Sequence, residues 1–346
     1  MDGTDRGRRL TYRAAGVDRA ATGALITGSR ERIRETHTPG VLGDVGHFAG
    51  MFGLDGYRNP VLVSSIDGVG TKVLLARAAG RLDVVGRDVI VHGVNDVAVV
   101  GATPLFALDY LAAAKWEPQA VETILDGITA ACRDEGVALL GGETAQMPGV
   151  YADAGLDVVA CVVGAVEREA ICDGRAIRPR DVILGLASDG LHTNGYSLVR
   201  TLMAQRKWSL KDVVAELGGR LQDVLLAPHR SYRKPLQALL RTGFLRGAAH
   251  VTGGGIPGNL VRILPQGCRA RIERDAWVVP PVFQVIAEAG GVDRDEMFAT
   301  FNMGLGMLAV VPRDRAGIAL DMCAASGITT WVVGEIAQGE TGVDLV

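Results

Sequence analysis

The chain has 346 residues, 48% of them hydrophobic, enough for a large core and, at roughly 150 residues per domain, for two domains. Thirty-six basic residues against 39 acidic ones leave a formal net charge of −3, without the basic excess of a nucleic-acid binder, and the apolar content excludes a disordered chain. No run approaches the roughly 18 consecutive apolar residues of a membrane helix.

In chain order, residues 1–60 are polar. Met1–Arg9 is Arg-rich and does not read as a signal peptide. A loose glycine-bearing loop (Gly40, Gly43, Gly46, Gly50, Gly53) follows. Val61–Ile66 reads as a buried strand delivering Asp67 into a glycine turn. Thr71–Ala79 has helical composition. Val84–Val100 reads as a long helix interrupted at Asn95-Asp96, and Leu105–Ala113 as a strand. Pro118–Glu135 places Val121, Ile124, Leu125, Ile128 and Cys132 at helical spacing. Val137–Leu140 and Leu156–Val166 read as strands. The sequence turns polar over Glu167–Arg180, which predicts a boundary between domains 1–168 and 175–346. The second half restarts with a strand at Asp181–Ala187, a loop at Ser188–Gly195 and a helix from Tyr196. Gly253-Gly254-Gly255 precedes a short helix. Gly304–Val311, Asp314–Ser326 and Thr330–Ile336 predict strand, helix and strand. Strands and helices alternate, so the class is α/β or α+β.

Four groups of residues carry chemistry. Asp67-Gly68-Val69-Gly70-Thr71-Lys72 joins a strand to a helix. Its backbone N–H groups suit phosphate, Lys72 suits its charge and Asp67 suits Mg²⁺; the P-loop spacing is absent, and a plain strand–helix turn explains the pattern equally well. Asp96, Asp109 and Glu143 are isolated acids in apolar surroundings; with Asp67 they favour a shared hard cation over four separate caps. Of the six histidines, His192 and His250 lie in polar or glycine-rich turns where an acid, a base or a phosphate contact fits. His37, His92 and His229 read as surface or satisfied core residues. No HExxH or spaced Cys/His set points to a zinc enzyme, and the five scattered cysteines read as reduced thiols of a cytoplasmic protein. Last, Gly253-x-Gly255-x-x-Gly258 matches the dinucleotide fingerprint, but Pro257 lies inside it, so a phosphate loop of another kind ranks above a nicotinamide site.

Assembled, these segments resemble the phosphoribosylformylglycinamidine cyclo-ligase (aminoimidazole ribonucleotide synthetase) family nearly end to end. The match runs through Tyr12-Arg13-Ala14-Ala15-Gly16-Val17-Asp18, Asp67–Lys72, Val94-Asn95-Asp96 and Pro104–Tyr110. It continues through Gly141-Gly142-Glu143-Thr144-Ala145-Gln146-Met147-Pro148-Gly149, Gly190–Arg200, Leu225–Arg230, His250–Gly255 and Thr300–Gly304. The resemblance implies a two-domain α+β fold: an N-terminal α/β domain that pairs with a second subunit's into a β-barrel, and a C-terminal α/β sandwich domain. It implies a homodimer acting on ATP and formylglycinamidine ribonucleotide, with Mg²⁺, to give aminoimidazole ribonucleotide, ADP and phosphate. By carry-over Asp67, Asp96, Asp109 and Glu143 form the Mg²⁺–ATP set, Gly68, Gly70, Thr71 and Lys72 follow the phosphates, and His192 and His250 sit near the reacting groups. Thr252, Asn302 and Arg30 are substrate candidates.

One departure concerns the N-terminal glycine loop. His47 and Ala49 stand in Gly43–Gly50 where relatives carry glycine, so the loop backbone there must avoid positive φ. Other members of the superfamily (selenophosphate synthetases, thiamin-phosphate kinases, hydrogenase maturation proteins) share parts of the pattern. The selenide reading lacks a cysteine before Cys132, and the maturation reading lacks a C-terminal cysteine. A non-catalytic nucleotide-binding subunit is disfavoured by intact acids at every candidate metal position.

Overall fold

Polar residues 1–60 hold a helix that the sequence pattern did not predict. In a computed structural model, which describes residues 11, 19–152 and 155–346, α1 (Arg19–Arg34) precedes the first strand. The Tyr12–Asp18 segment lies outside the described residues. Ion pairs from Arg32 to Asp126 and from Arg133 to Glu35 join α1 and its exit to the next layer.

The first sheet contains β1 (Pro60–Gly68), β2 (Thr103–Ala113), β3 (Ala138–Gln146) and β4 (Leu156–Glu167), in the order β1-β4-β2-β3. β4 is antiparallel to both β1 and β2, while β2 and β3 run parallel. Parallel strands require a crossover, supplied by α4 (Pro118–Glu135). Between β1 and β2 lie α2 (Lys72–Ala79) and α3 (Leu82–Ala98). The predicted interruption at Asn95-Asp96 does not occur; α3 runs through both residues, because their side chains bond to groups outside the helix rather than to its backbone. α3 and α4 approach closely through glycine. A Cβ on Gly86 would meet the Ile124 carbonyl oxygen at 2.1 Å, and one on Gly127 the Asp83 carbonyl oxygen at 2.0 Å.

These helices cover one sheet face only. On the other face Leu62 and Ile66 of β1 are 61% and 71% exposed, and Leu108 of β2 is exposed beside half-buried Phe106, Tyr110, Val159, Cys161 and Val163.

The second half opens with β5 (Val182–Ala187), α5 (Tyr196–Arg206), a two-residue hairpin of β6 (Val213–Val214) and β7 (Gly219–Arg220), α6 (Leu221–Leu225) and α7 (Arg233–Arg241). It continues through β8 (Gly247–His250), α8 (Gly255–Leu260), β9 (Cys268–Ile272), α9 (Pro281–Gly290) and α10 (Arg294–Thr300). It ends with β10 (Leu305–Val311), α11 (Ala316–Ala325), β11 (Thr330–Gln338) and β12 (Gly342–Leu345). Six strands form one sheet in the order β12-β9-β11-β5-β10-β8, antiparallel except for β12 with β9. Every residue of β10 is buried, which explains its unbroken apolar sequence: a central strand covered on both faces shows no alternation. β8 is an edge strand paired antiparallel to β10, so the Gly253 fingerprint is not the first turn of a parallel nucleotide-binding unit.

Side-chain hydrogen bonds and ion pairs fasten the two sheets together. Asn95 of α3 donates to the Arg230 carbonyl at 2.8 Å and accepts from the Tyr232 amide at 2.8 Å. Arg233 of α7 pairs with buried Glu135 of α4 at 2.9 Å. The functional cluster lies along this seam.

Candidate active site

β1 alternates, so Ser65 and Asp67 point to the helix-covered face and Ile66 to the open one. Opposite them, His92 and Asp96 stand one turn apart on α3 and therefore share its surface. The Asp67 carboxylate accepts from His92 Nε2 at 3.1 Å and, through its other oxygen, from the Gly68 amide at 2.7 Å. Ser65 donates to Asp96 Oδ2 at 2.7 Å. The second Asp96 oxygen meets Nδ1 of His250, at the end of β8, at 2.7 Å.

Burial and partners set the charges. The His92 hydrogen bond holds Asp67 below the usual carboxylate range. Burial pushes Asp96 upward, but the His250 and His92 rings and Ser65 outweigh it and bring the carboxyl to about 2. Burial pushes His92 down, and Asp67 and Asp96 reverse that, so it titrates above an ordinary histidine. Two ionised acids, one half-exposed and one a quarter exposed, thus face the seam beside the start of α2.

Behind the acids lies a histidine cluster. His250 Nε2 is 3.0 Å from Nε2 of His229, the His229 ring stacks on His192 with centroids 4.0 Å apart, and Nδ1 of His92 meets the Thr193 hydroxyl at 2.9 Å. His192 is the only one of the four with positive φ, 62°. Both belong to the cluster: His92 is a satisfied core residue, as read, with both ring nitrogens bonded, whereas the reading of His229 is corrected, since it is buried with Nδ1 unpartnered among the described residues. Neither carries a local signal, because α3 reads as an apolar helix and His229 follows a proline.

Lys72 is also corrected. It is fully buried. Its ammonium pairs with Asp88 at 2.5 Å and donates to the carbonyls of His192 at 2.8 Å and Ala227 at 3.1 Å. One ion pair and two carbonyls thus hold the ammonium inside the protein rather than presenting it to phosphate. Asp88 in turn accepts from the His229 amide at 2.8 Å. This pair ties together the two loops that present His192 and His229.

The remaining candidates divide. Gly68, Gly70 and Thr71 border the cleft; Gly70 is exposed with φ 52°, and the Thr71 hydroxyl lies 3.2 Å from that of Ser197. Gly253 and Gly254 form an exposed turn after His250, with Thr252 bonded to Asn259 at 3.3 Å. Asn302 is buried and committed to structure: it donates to the Gly190 carbonyl and accepts from the Gly304 amide, each at 2.8 Å. Asp109 and Glu143 do not join Asp67 and Asp96. Asp109 pairs with Ala160 and Ala160 with Asp67, two strand spacings or roughly 10 Å away. It is buried beneath α4, and desolvation pushes its carboxyl up to about 7. Glu143 is exposed on β3, three spacings or roughly 14 Å from the β1 position in its row.

Arg30 lies against the glycine loop: a Cβ on Gly46 would be 2.9 Å from its Nη2. Gly43 and Gly46 have positive φ while His47 and Ala49 do not, as the departure from glycine requires. This loop walls an apolar cavity of about 680 Å³ with Phe52, Leu62, Phe106, Leu108 and Asp109. The cavity contains none of the clustered histidines.

Solved structures share the fold. Thiamine-monophosphate kinase from Stenotrophomonas maltophilia K279a superposes with a TM-score of 0.69 over 91% of this chain and 94% of its own, at 19% identity. Hydrogenase maturation protein HypE in complex with ATP gives 0.67 over 95% and 92%, at 17%. These likenesses define a two-domain α+β protein. Residues 46–166 match the N-terminal domain, and residues 178–345 the C-terminal domain, of the AIR synthase related proteins, and the chain belongs to that family. It is 46% identical over 333 residues to the phosphoribosylformylglycinamidine cyclo-ligase of Sorangium cellulosum, covering 95% of this chain and 96% of that one. With the protein of the same name from Anaeromyxobacter dehalogenans it shares 47% over 336 residues, covering 96% and 97%.

Proposed function

We propose that the chain closes the imidazole ring of aminoimidazole ribonucleotide, converting formylglycinamidine ribonucleotide and ATP to that product, ADP and phosphate in de novo purine biosynthesis. Similarity along nearly the whole chain to proteins named for this reaction supports it. The observation that carries it is the meeting of two ionised carboxylates, Asp67 and Asp96, with the His250–Gly255 turn across one seam.

The chemistry requires such a site. A formyl oxygen leaves poorly; phosphorylated by ATP it leaves as phosphate, and a substrate nitrogen takes its place on the carbon. Phosphoryl transfer depends on positioning and charge neutralisation. Asp67 and Asp96 are ionised, accessible oxygen donors, the type Mg²⁺ prefers, and we assign them to hold it. The ion would supply charge neutralisation on the phosphate oxygens. Gly68, Gly70 and Thr71 border the phosphates with the backbone amides that open α2. His250, both ring nitrogens already engaged, positions Asp96, and His192 lies one layer behind it. Gly253, Gly254 and Thr252 face the substrate. Lys72 and Asn302 hold the loops, and Arg30 acts through the glycine loop.

We assign residues 1–168 and 175–346 to the two domains. The apolar open face around Leu62, Ile66 and Leu108 fits burial against a second copy, closing an intersubunit β-barrel in a homodimer. Across that contact Glu143, in the row of Tyr110 on the open face, would face a second subunit rather than its own Asp67. Five free thiols accord with the cytoplasm.

The test mixes protein, formylglycinamidine ribonucleotide, ATP and Mg²⁺ and follows ADP together with the diazo-coupled aminoimidazole. Equal yields of both, abolished in Asp67→Asn, support the proposal. ADP without imidazole would move the chain to another acceptor of the superfamily, and neither product from folded protein would overturn the assignment.

A further inference from the structure

Four of the six histidines meet in the interior, and the reaction above accounts only for the edge of that cluster. His192 and His229 are 1% and 2% exposed. Both ring nitrogens of His192 and Nδ1 of His229 lack a hydrogen-bond partner among the described residues. Buried polar atoms are nearly always satisfied, and an exception calls for a reason such as an ion.

We infer that His192, His229 and His250 form a second metal site, which takes one borderline-soft transition-metal ion such as Zn²⁺ and is separate from the Asp67–Asp96 pair. One nitrogen from each ring can be chosen so that all three lie within 4.8 Å of one another. The Nε2 atoms of His229 and His250 are already 3.0 Å apart, close to the roughly 3.4 Å that separates two nitrogens on a tetrahedral ion with bonds of ~2.0–2.1 Å. The ion would replace the proton these nitrogens share. His229 would then carry its one proton on Nδ1, so both rings stay neutral.

The surroundings favour metal over an apolar core. His250 donates through Nδ1 to Asp96, the carboxylate–histidine arrangement that orients and strengthens a metal-bound imidazole. Burial holds His192 and His229 well below the usual histidine range, which is the neutral, ligating form. The Lys72 bond to the His192 carbonyl fixes the backbone of the third ligand at positive φ. One rearrangement is needed. Stacked rings with centroids 4.0 Å apart are closer than the roughly 5 Å expected on one tetrahedral ion, so His192 swings about its side-chain torsions as the site closes. Three imidazoles disfavour Mg²⁺, which prefers oxygen, and this separates the two sites experimentally. The local spacing of His192, His229 and His250 holds no zinc signature, because each ligand comes from a different loop or strand.

The experiment titrates chelator-treated protein with Co²⁺, then competes with Zn²⁺ and with millimolar Mg²⁺. We expect one equivalent per chain, the intense visible d–d absorption of a four-coordinate site, displacement by Zn²⁺ and none by Mg²⁺. His229→Gln lowers Co²⁺ affinity about a hundredfold or more, and Asp67→Asn leaves it unchanged. Zn²⁺ also raises the thermal midpoint of the unmodified protein, a readout that survives if the variant does not fold. Absence of Co²⁺ uptake, a weak octahedral spectrum, displacement by Mg²⁺, or uptake that persists in folded His229→Gln would each overturn the inference. None of these results depends on ring closure, so the reaction and the metal site can fail independently.

Discussion

Replacing Lys72 by methionine separates a phosphate ligand from a structural clamp. In the structure the ammonium is fully buried and spends its donors on Asp88 and on the carbonyls of His192 and Ala227. Burial pushes the Asp88 carboxyl upward and Lys72 pulls against it. Removing one partner of a buried ion pair costs about 3–5 kcal/mol, because the other charge is left without compensation. With an unfolding entropy of ~2.1 cal/mol/K per residue over the chain, that lowers Tm by roughly 4–7 °C if the chain unfolds as one unit. The double variant Lys72→Met/Asp88→Leu should recover part of the loss, since two apolar side chains of similar volume often replace a buried pair at little cost. Scanning calorimetry supplies the stability. Steady-state kinetics supplies the second readout: kcat falls as the loops carrying His192 and His229 loosen, while KM for ATP stays within about threefold, as expected when no ground-state contact to ATP is removed. An unchanged Tm with a large rise in KM for ATP would refute the clamp and restore Lys72 as a phosphate contact.

Three further outcomes follow from the geometry. Asp109 titrates near 7 when folded against 3.8 unfolded, so the native state holds the extra proton between those values. Its contribution is present below about pH 4 and lost as pH rises through about 7, on the order of 4 kcal/mol. Asp109→Asn should flatten the stability curve over that window, and parallel urea midpoints for both proteins from pH 4 to 8 would contradict the assignment. Gly142→Ala places a Cβ 2.1 Å from Asp109 Oδ1 and should destabilise by about 1–3 kcal/mol; an unchanged denaturant midpoint would show that the strand shifts freely. Ile66→Glu puts a charge on the open sheet face and should convert a dimer to a folded monomer in light scattering after size exclusion. A monomeric unmodified chain would remove the barrel from the proposal.

Much of this architecture is legible residue by residue. Pro118–Glu135 is bounded by an N-terminal proline and by Gly136 in the left-handed region, with apolar residues at helical spacing, and the helix has those limits. β5 and β10 read correctly because strands covered on both faces are apolar throughout. α1 escapes notice because Arg19–Arg34 has a weak apolar stripe and is joined to α4 and its exit by ion pairs, which leave no periodic trace. At the site, Asp67 and Asp96 stand out as acids among apolar neighbours. So do His192 and His250 in their polar and glycine-rich turns, but His92 and His229 do not, since the cluster that joins them to His250 is built by tertiary contacts spanning about half the chain. Lys72 misleads for the same reason: Asp88 lies nearly two turns into another helix and looks from the sequence like an ordinary surface acid.

The clamp has a consequence for synthesis on the ribosome. Lys72 and Ala227 are 155 positions apart, so at roughly 5–20 residues per second the lysine waits on the order of 8–30 s for its last acceptor to be made. Asp88 emerges early, but the loops that shield the pair from water emerge late. During that interval the ammonium stays hydrated. Ring-closing competence is therefore gained late, when the second half docks, and a chain cut short before Ala227 carries both acids without the floor beneath them.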